Sequence, residues 1–429
     1  MRLSVLVAMM LVLASAVAAA EPAATSSLAA SSPARYDLVL DRYFTSSAAA
    51  HTLSTLHRVV YLTEDSLLPP VLWDEHGFGR VLGGVVYRLA RSILLDNVLD
   101  HLVFLAQHEV FGHGGRYREI GYVDNSFHLS LFFPYGDAHG YASIGSATRA
   151  TTDLEHVLRI IGGNEGTTVL ARTMRTRWAA LESIHYHESF LYVASACNLP
   201  LYVIGTQLGL LGGSSNDITQ YLSTVGASEV DIDTSTLTLS RLSLYALLSF
   251  ADPFLCYSMA SYIRYLGVGR VASGVPMIPI GEVGYLPAFH LMLSPFGPEF
   301  VMESYLRGPR RLMSVTARFT DPTVCSSIGA GVRISPARES ALGTIPFSVD
   351  IGADIWYQPV LPTPDDHPIL LAANGADAGL GALVTLRARV DLLPSSGLLV
   401  EVVAKSDGYV EGEPLYGCVL IRAGLSLSL

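Results

Sequence analysis

Two histidines and one glutamate lie within the six residues HEVFGH, positions 108–113. A neutral imidazole is the commonest protein ligand of zinc, and two of them on one helix can hold the metal while a third ligand comes from elsewhere. Glu109 follows the first histidine and is placed to accept a proton from a water that the metal acidifies. The segment therefore predicts a hydrolytic Zn²⁺ centre in which His108 and His113 bind the metal and Glu109 is the catalytic base.

The five-residue spacing between the two histidines is unusual for such a centre. In an ideal α-helix, at about 100° per residue, positions i and i+5 lie about 140° apart, so both rings would not reach one metal. A π-helical turn or a local unwinding brings them together. Gly112, followed by Gly114 and Gly115, gives the backbone the freedom to adopt such a turn. We therefore expect a widened helix at this segment.

With its inserted residue, the segment resembles the His-Glu-x-x-Gly-His motif of dipeptidyl peptidase III, a gluzincin metallopeptidase. The resemblance covers these residues and one further short segment. In gluzincins the third zinc ligand is a glutamate on a later helix, and residues 162–168, GGNEGTT, resemble the Asn-Glu segment that supplies it in thermolysin-like enzymes. The resemblance thus implies Glu165 as the third metal ligand and a peptide or protein as the substrate. If Glu165 points away, His156, Asp153 and His187 are the next candidates.

Helical spacing of apolar residues extends across most of residues 36–280 and runs directly into His108. His101 lies one heptad earlier, either as a support for the metal ligands or as an ordinary buried histidine. The cluster HYHE at 185–188 could stabilise an oxyanion, although no pattern links it to His108. Between positions 117 and 149, short aromatic runs punctuated by glycine predict a small hairpin, which could serve packing or bind substrate as an added strand.

The chain ends and the composition point to an exported protein. A basic start, an apolar run and small residues before position 21 predict a signal peptide over residues 1–20, followed by a flexible leader over 21–35. The net charge of −11, without clusters of Lys and Arg, argues against nucleic acid as a partner. Charged residues make up only 15% of the chain, which is low for a soluble exported enzyme and raises the question of membrane association.

Two apolar stretches, 191–211 and 242–263, are long enough to span a bilayer. The first is interrupted by Asn198 and a following proline, and the second by Asp252 and Pro253. An Asp-Pro pair in the middle of a span is costly in lipid unless it has a function. Buried core helices are therefore the favoured interpretation of both stretches.

From position 281 to the end, the period of the apolar residues changes from 3.6 to two. The alternating segments are 285–293, 299–307, 313–319, 328–334, 347–355, 382–390, 398–404 and 419–429. Runs of about ten residues joined by tight turns are typical of a transmembrane β-barrel, here of about eight strands, with ion pairs filling a narrow lumen. A soluble antiparallel sandwich would show the same alternation. The signal peptide, the amphipathic last strand and the low charge favour the barrel.

Together these features predict an α+β protein, with a mainly helical, metallopeptidase-like domain over 36–280 and an antiparallel transmembrane barrel over 281–429. We expect a zinc metallopeptidase of the cell envelope, held in the outer membrane of a Gram-negative-type bacterium, with the lipid bilayer as the partner of the barrel. Two alternatives remain open. One is a non-enzymatic outer-membrane protein whose helical domain is structural or adhesive, and the other is an inner-membrane metalloprotease whose apolar helices span the bilayer.

Overall fold

The computed structural model describes residues 35–70, 78–122, 124–145, 152–211, 213, 216–226, 233–309, 311–336, 340–342, 345–361, 378–393 and 395–429. The predicted signal peptide, and all of the predicted leader except its last residue, lie outside these residues. Helices dominate the first part of the chain and strands the second, so the protein is α+β as predicted.

Nine α-helices are present in the described part of the chain, with two π-helical segments that interrupt the series. The α-helices are α1 (Ser46–Leu67), α2 (Phe78–Arg91), α3 (Asn97–Leu105), α4 (Gly114–Glu119), α5 (Asp153–Leu181), α6 (Tyr186–Gln207), α7 (Asp217–Thr224), α8 (Leu239–Leu248) and α9 (Pro253–Val268). The π segments are Ser92–Asp96 and Ala106–His113. They join α2, α3 and α4 into one continuous rod that carries the HEVFGH segment.

Fifteen strands are described, and most of them belong to one large sheet. They are β1 (Arg35–Leu40), β2 (Asn125–Leu129), β3 (Gly140–Ile144), β4 (Ser183–His185), β5 (Ala272–Gly274), β6 (Ile278–Ile280), β7 (Val283–Ser294), β8 (Gly297–Arg307), β9 (Arg311–Thr320), β10 (Ile328–Pro336), β11 (Ser340–Leu342), β12 (Ile345–Pro359), β13 (Ala378–Leu393), β14 (Ser396–Lys405) and β15 (Cys418–Ser428). Strands β2 and β3 form the hairpin predicted between positions 117 and 149.

The large sheet is antiparallel and has the order β1-β15-β14-β13-β12-β10-β9-β8-β7-β6, with β11 paired to β12. All eight alternating segments of the sequence form strands of this sheet, as predicted. The predicted closed barrel is wrong, because the terminal strands β1 and β6 do not pair with each other. The sandwich alternative is not found either, since these strands build one sheet in the described part of the chain.

Helix α5 does not fit inside the predicted barrel of about eight strands. It lies against the concave face, where Arg175 bonds to Glu303 of β8 at 2.5 Å and Arg172 bonds to Glu411 at 3.0 Å. A barrel of about eight strands has room inside only for side chains, whereas a helix with its side chains is about 10 Å wide. The sequence pattern of the strands carries no information about this helix.

Charged residues lie on the inner face of the sheet and apolar residues on its outer face, which is the reverse of the arrangement in an ordinary soluble protein. Charged residues point to the concave side and are buried there: Arg387 bonds to Glu401 at 2.5 Å, and Arg389 bonds to Asp37 at 2.8 Å and to Asp350 at 2.6 Å. These contacts confirm the ion pairs predicted for the interior. The convex side carries the apolar residues, and its exposed members include Met302, Ile328, Ile351, Ile355, Leu380, Val384, Leu386, Leu398, Val400, Val419, Ile421 and Leu425.

The two apolar stretches considered as membrane spans form different structures: the first is one helix and the second is divided between two. Helix α6 is long and apolar enough to cross a membrane, and half of its most apolar 18-residue window is buried inside the protein. The second stretch is divided between α8 and α9, which are bent by 60° and qualify only if counted as one broken span. At the break, Asp252 accepts the Tyr192 hydroxyl at 2.6 Å and the Phe254 amide at 3.4 Å, so this buried carboxylate has a structural role.

Candidate metal centre

The HEVFGH segment is π-helical, as the spacing of its histidines predicted. Residues Ala106–His113 form the second π segment. The extra residue per turn brings the two rings together, with centroids 4.9 Å apart and planes at 80°. His108, His113 and Asp217 each offer one ligand atom, and these atoms lie within 4.8 Å of one another. This buried group could hold a metal ion.

Gly163 on helix α5 shows where such an ion would fit. A methyl group placed on Gly163 would lie 2.4 Å from Nε2 of His108 and 2.4 Å from Nε2 of His113. Zinc binds imidazole nitrogen at about 2.0–2.1 Å, so the space left by the missing side chain is close to metal distance from both rings. The Asp217 carboxylate lies 3.6 Å from Nε2 of His113, near the separation of about 3.4 Å expected for two tetrahedral zinc ligands.

Two further glycine contacts allow the π segment to lie directly on α5. A Cβ on Gly112 would lie 2.5 Å from the Gly162 carbonyl oxygen, and a Cβ on Gly166 would lie 2.6 Å from the Gln107 carbonyl oxygen. The Gln107 side chain donates to the Gly166 carbonyl at 3.1 Å and to Ser46 at the start of α1. Close backbone packing therefore fixes the distance between the histidines and Gly163.

Both imidazoles are oriented by hydrogen bonds at Nδ1. The Nδ1–H of His113 donates to the Arg159 carbonyl at 2.6 Å, which leaves the Nε2 lone pair for a metal. Nδ1 of His108 lies 3.2 Å from the side-chain amide of Asn198, which also contacts Asn164 and Thr167. The Asn198 amide nitrogen is the donor in all three contacts, so the neutral His108 ring carries its proton on Nε2 and must change tautomer before Nε2 can bind a metal.

The two histidines have opposite pKa shifts in the metal-free site. Burial, together with the nearby charge of His113, lowers the pKa of His108 to about 3, so this ring is neutral. Burial also acts against the charged form of His113, but the Asp217 carboxylate, Glu109 and the Arg159 carbonyl outweigh it and raise the pKa of His113 to about 9. At neutral pH His113 is therefore the charged ring of the pair and His108 the neutral one.

Glu109 lies between the histidines and the β2–β3 hairpin. A Cβ on Gly140 of β3 would meet its Oε1 at 2.9 Å, and the Ala142 amide donates to its carboxylate. Burial and the nearby Asp217 raise the pKa of Glu109, against the lowering effects of His113 and the Ala142 amide. A carboxylate whose pKa is shifted towards neutrality is suited to proton transfer.

Glu165, the third ligand implied by the resemblance, bonds to residues other than the two histidines. Its carboxylate accepts two bonds from the Arg116 guanidinium, at 2.9 Å and 2.5 Å, and the Gly412 amide at 2.6 Å. Glu165 is buried with its acceptors occupied by these donors, and it is not part of the metal-binding group. The same turn of α5 contributes Gly163 instead.

Asp217 was missed by the sequence analysis. It is the first residue of α7, directly after the capping Asn216, and its backbone amide donates to the Tyr202 hydroxyl at 3.2 Å. The only signal in the sequence is an Asn-Asp pair after a glycine- and serine-rich turn, which predicts a helix start and not a metal ligand. Because Asp217 lies far from His108 along the chain, no sequence pattern links the two residues as metal ligands.

The remaining residues considered from the sequence lie in other environments. His101 packs against Phe104 and Phe132. His156 lies 3.2 Å from a guanidinium nitrogen of Arg159, and Asp153 is an exposed residue at the start of α5.

Within the cluster at 185–188, His187 bonds to Asp65 at 3.3 Å and stacks on Tyr61. None of these candidates belongs to the group formed by His108, His113 and Asp217 among the described residues.

Fold and site together define an α+β protein with an inverted antiparallel sheet and a buried His-His-Asp group that could bind a metal ion. No protein-family model, no curated protein and no solved structure matches this chain.

Proposed function

We propose that this chain is a zinc-dependent hydrolase of peptide bonds that is attached to a lipid bilayer through the convex face of its sheet. The observation that carries the enzymatic part is the approach of two imidazole Nε2 atoms to the empty space beside Gly163, with the Asp217 carboxylate next to them. Two nitrogens and one carboxylate oxygen are a donor set that suits zinc and leaves a fourth position open. When bound there, zinc supplies Lewis acidity towards water and a carbonyl oxygen.

Glu109 has the features of the general base. Its carboxylate is held beside the metal group by the Ala142 amide, and its pKa is raised, so it can accept a proton from water and return it to a leaving amine. General base catalysis contributes about 10²–10⁴-fold to a rate. Replacing Glu109 by Gln keeps the shape of the side chain and removes the base.

Tyr202 is the best-placed donor for an oxyanion. Its hydroxyl accepts the amide of Asp217 at 3.2 Å, and no described residue accepts the proton of this hydroxyl. A neutral hydroxyl donor beside a metal ligand can stabilise the charge that develops on a carbonyl oxygen during hydrolysis. We therefore assign oxyanion stabilisation to Tyr202 and not to the cluster at 185–188, which the sequence analysis considered for this role.

A peptide substrate is supported by two features. The HEVFGH segment resembles a metallopeptidase motif in its residue types and spacing, and its π-helical backbone brings the two histidine rings together. The hairpin strand β3, whose Ala142 amide contacts Glu109, lies in a two-stranded sheet and has one edge that is not paired with β2. An extended peptide could align with such an edge through backbone hydrogen bonds.

The inversion of the sheet supports attachment to a membrane. Rows of apolar side chains run across neighbouring strands on the convex side, for example Ile351, Leu386, Val402 and Ile421 in register on β12, β13, β14 and β15. Water-facing sheets place polar residues outside, whereas lipid-facing sheets place apolar residues outside and charges within. An outer-membrane location fits these features and the predicted signal peptide.

The test is to measure metal content and peptide hydrolysis with the full chain in detergent micelles. We expect stoichiometric zinc and hydrolysis of a random peptide mixture that stops when the metal is removed by a chelator and returns with zinc. Glu109→Gln should bind zinc normally and hydrolyse about 10²–10⁴-fold more slowly. Tyr202→Phe should lower kcat by about 10²–10³-fold with little change in KM.

The matched control is Glu182→Gln, because Glu182 is a solvent-exposed glutamate at the end of α5. This variant should behave as the wild type. Hydrolysis by Glu109→Gln at the wild-type rate, or purified protein that takes up no zinc, would overturn the proposal.

A further inference from the structure

The open sheet raises a question for a protein in a bilayer. Every backbone N–H or C=O group left unpaired in hydrocarbon costs several kcal/mol, which is why membrane-spanning strands normally close into a ring. This sheet does not close, because β1 and β6 are unpaired on their outer edges. The outer edges must therefore be satisfied in another way if the convex face lies in lipid.

Helix α1 satisfies the edge of β1 with two threonine hydroxyls. The Thr52 hydroxyl accepts the Val39 amide at 2.8 Å and donates to the Val39 carbonyl at 2.6 Å. The Thr55 hydroxyl donates to the Asp37 carbonyl at 2.9 Å. These are the backbone groups that a next strand would use, since β15 pairs with the opposite edge of β1.

At the opposite end of the sheet, helix side chains also bond to backbone groups of the edge strands. Strand β6 is only three residues long and contains Pro279, which has no N–H to offer a further strand. Where β6 ends, the Leu291 amide of β7 donates to the Ser249 hydroxyl at 3.2 Å, and the Ser294 carbonyl accepts the Tyr221 hydroxyl at 2.9 Å. Helix side chains thus take the place of a strand at both edges.

The outward face of α1 is apolar where it adjoins the sheet. Leu56, Val60 and Leu67 recur at helical spacing and are 46%, 45% and 76% exposed, while the buried face of the same helix carries His57 and Tyr61. Thr63, which lies on this outer stripe, donates its hydroxyl to the Val59 carbonyl one turn earlier, so its polar group is satisfied within the helix. A row of the convex face runs from Val390 through Leu398 and Leu425 to Leu38 and ends on β1, the strand whose outer edge is bonded to α1.

We propose that helix α1 replaces a strand in the lipid-facing wall, so that Leu56, Val60 and Leu67 contact acyl chains as the convex face of the sheet does. Lipid is the occupant that fits, because the stripe is apolar like the convex face, and the Val39 amide, the Val39 carbonyl and the Asp37 carbonyl are already bonded to α1 and are not available for pairing with a second copy. The proposal rests on the membrane attachment proposed above, and it does not depend on the metal centre.

Lipid contact can be measured with tryptophan reporters and bromine-labelled lipid. Leu56→Trp and Val60→Trp test the helix, Leu386→Trp tests the convex face of the sheet, and Tyr135→Trp, in the exposed loop between β2 and β3, is the aqueous control. Each full-length variant is reconstituted into vesicles of dioleoyl- or dibromostearoyl-phosphatidylcholine. The emission of the three tryptophans of the wild-type chain is subtracted.

We expect the added tryptophan at positions 56, 60 and 386 to lose most of its emission in brominated vesicles, and the one at position 135 to lose none. Loss at 386 without loss at 56 and 60 would overturn this inference and leave the membrane attachment standing. No loss at 386 would overturn the membrane attachment itself, and with it this inference.

A second measurement examines the saturated edge. The double variant Thr52→Val, Thr55→Val removes the hydroxyls that satisfy β1, and Thr63→Val removes a hydroxyl that bonds only within α1. By sedimentation in detergent, the wild type and Thr63→Val should be monomeric, whereas the double variant should self-associate or unfold at a lower temperature. A wild-type dimer, or a double variant indistinguishable from the wild type, would show that the edge is not sealed by α1.

Discussion

Gly163→Ala tests the position of the metal directly, because the added methyl group would occupy the space in which the ion is expected. The methyl carbon would lie 2.4 Å from Nε2 of both His108 and His113, and 2.7 Å from Cε1 of His108. Ordinary contacts of this kind are about 3.4–4.0 Å, so both rings must move by about 1 Å or more. Neither ring can then direct Nε2 to a shared ion.

The expected loss of metal affinity is large. Disturbing a group that only orients a zinc ligand costs about 10–100-fold in affinity. Gly163→Ala displaces two ligands and fills their shared space, so we expect at least about a 100-fold loss. The assay is competition for zinc against a chromophoric chelator, with circular dichroism to follow folding.

Two other glycine variants provide the controls. Gly115→Ala, on the helix that follows the π segment, has no neighbour closer than 3.9 Å and should keep wild-type zinc affinity. Gly112→Ala meets the Gly162 carbonyl oxygen at 2.5 Å, so it must push two backbones apart and should cost about 1–3 kcal/mol of stability. The three atoms nearest to the added methyl group in Gly163→Ala all belong to the two histidine side chains, so this variant should remain folded. Wild-type zinc affinity in Gly163→Ala would refute this assignment of the metal position.

Further predictions concern protonation and the buried ion pair. Because the pKa of His113 is raised to about 9 in the metal-free site, metal binding at pH 7 must expel one proton, and the apparent affinity should rise about tenfold per pH unit up to about pH 9. Calorimetry in buffers of different ionisation enthalpy measures this release, and zero protons at pH 7 would contradict it. Glu165→Gln leaves Arg116 with a weakened partner in a buried site and should cost about 3–5 kcal/mol in denaturant unfolding. Its zinc affinity should stay at the wild-type value, and loss of zinc without loss of stability would instead make Glu165 a ligand.

The sequence predicted those parts of the protein that depend on local spacing. The five-residue interval between His108 and His113 required a widened helix, and Ala106–His113 is π-helical. The alternation of apolar residues after position 281 located eight strands correctly, because a period of two has no other regular explanation over such lengths.

Features that depend on distant contacts could not be predicted in this way. Asp217 reaches the two histidines only through the packing of α7 against α5, and a lone aspartate at a helix start has no local mark of metal binding. Glu165 has the expected residue type on the expected helix, but Arg116 and the Gly412 amide occupy its carboxylate. The closed barrel was wrong because β1 joins the sheet through β15, while α5 fills the concave side.

Alternation alone does not give the direction of the sheet faces, although the barrel interpretation correctly placed the charged residues inside. Alternation shows that Leu386 and Arg387 lie on opposite sides, and it does not show which side is outside. In the structure Leu386 is 47% exposed and Arg387 is buried among carboxylates.

The most direct test of the metal centre is a crystal structure of the zinc-loaded protein with anomalous diffraction recorded at the zinc absorption edge. We expect one anomalous peak beside Gly163, about 2.0–2.2 Å from Nε2 of His108, Nε2 of His113 and a carboxylate oxygen of Asp217. A peak at Glu165, or no peak near the two histidines in the zinc-loaded crystal, would contradict it.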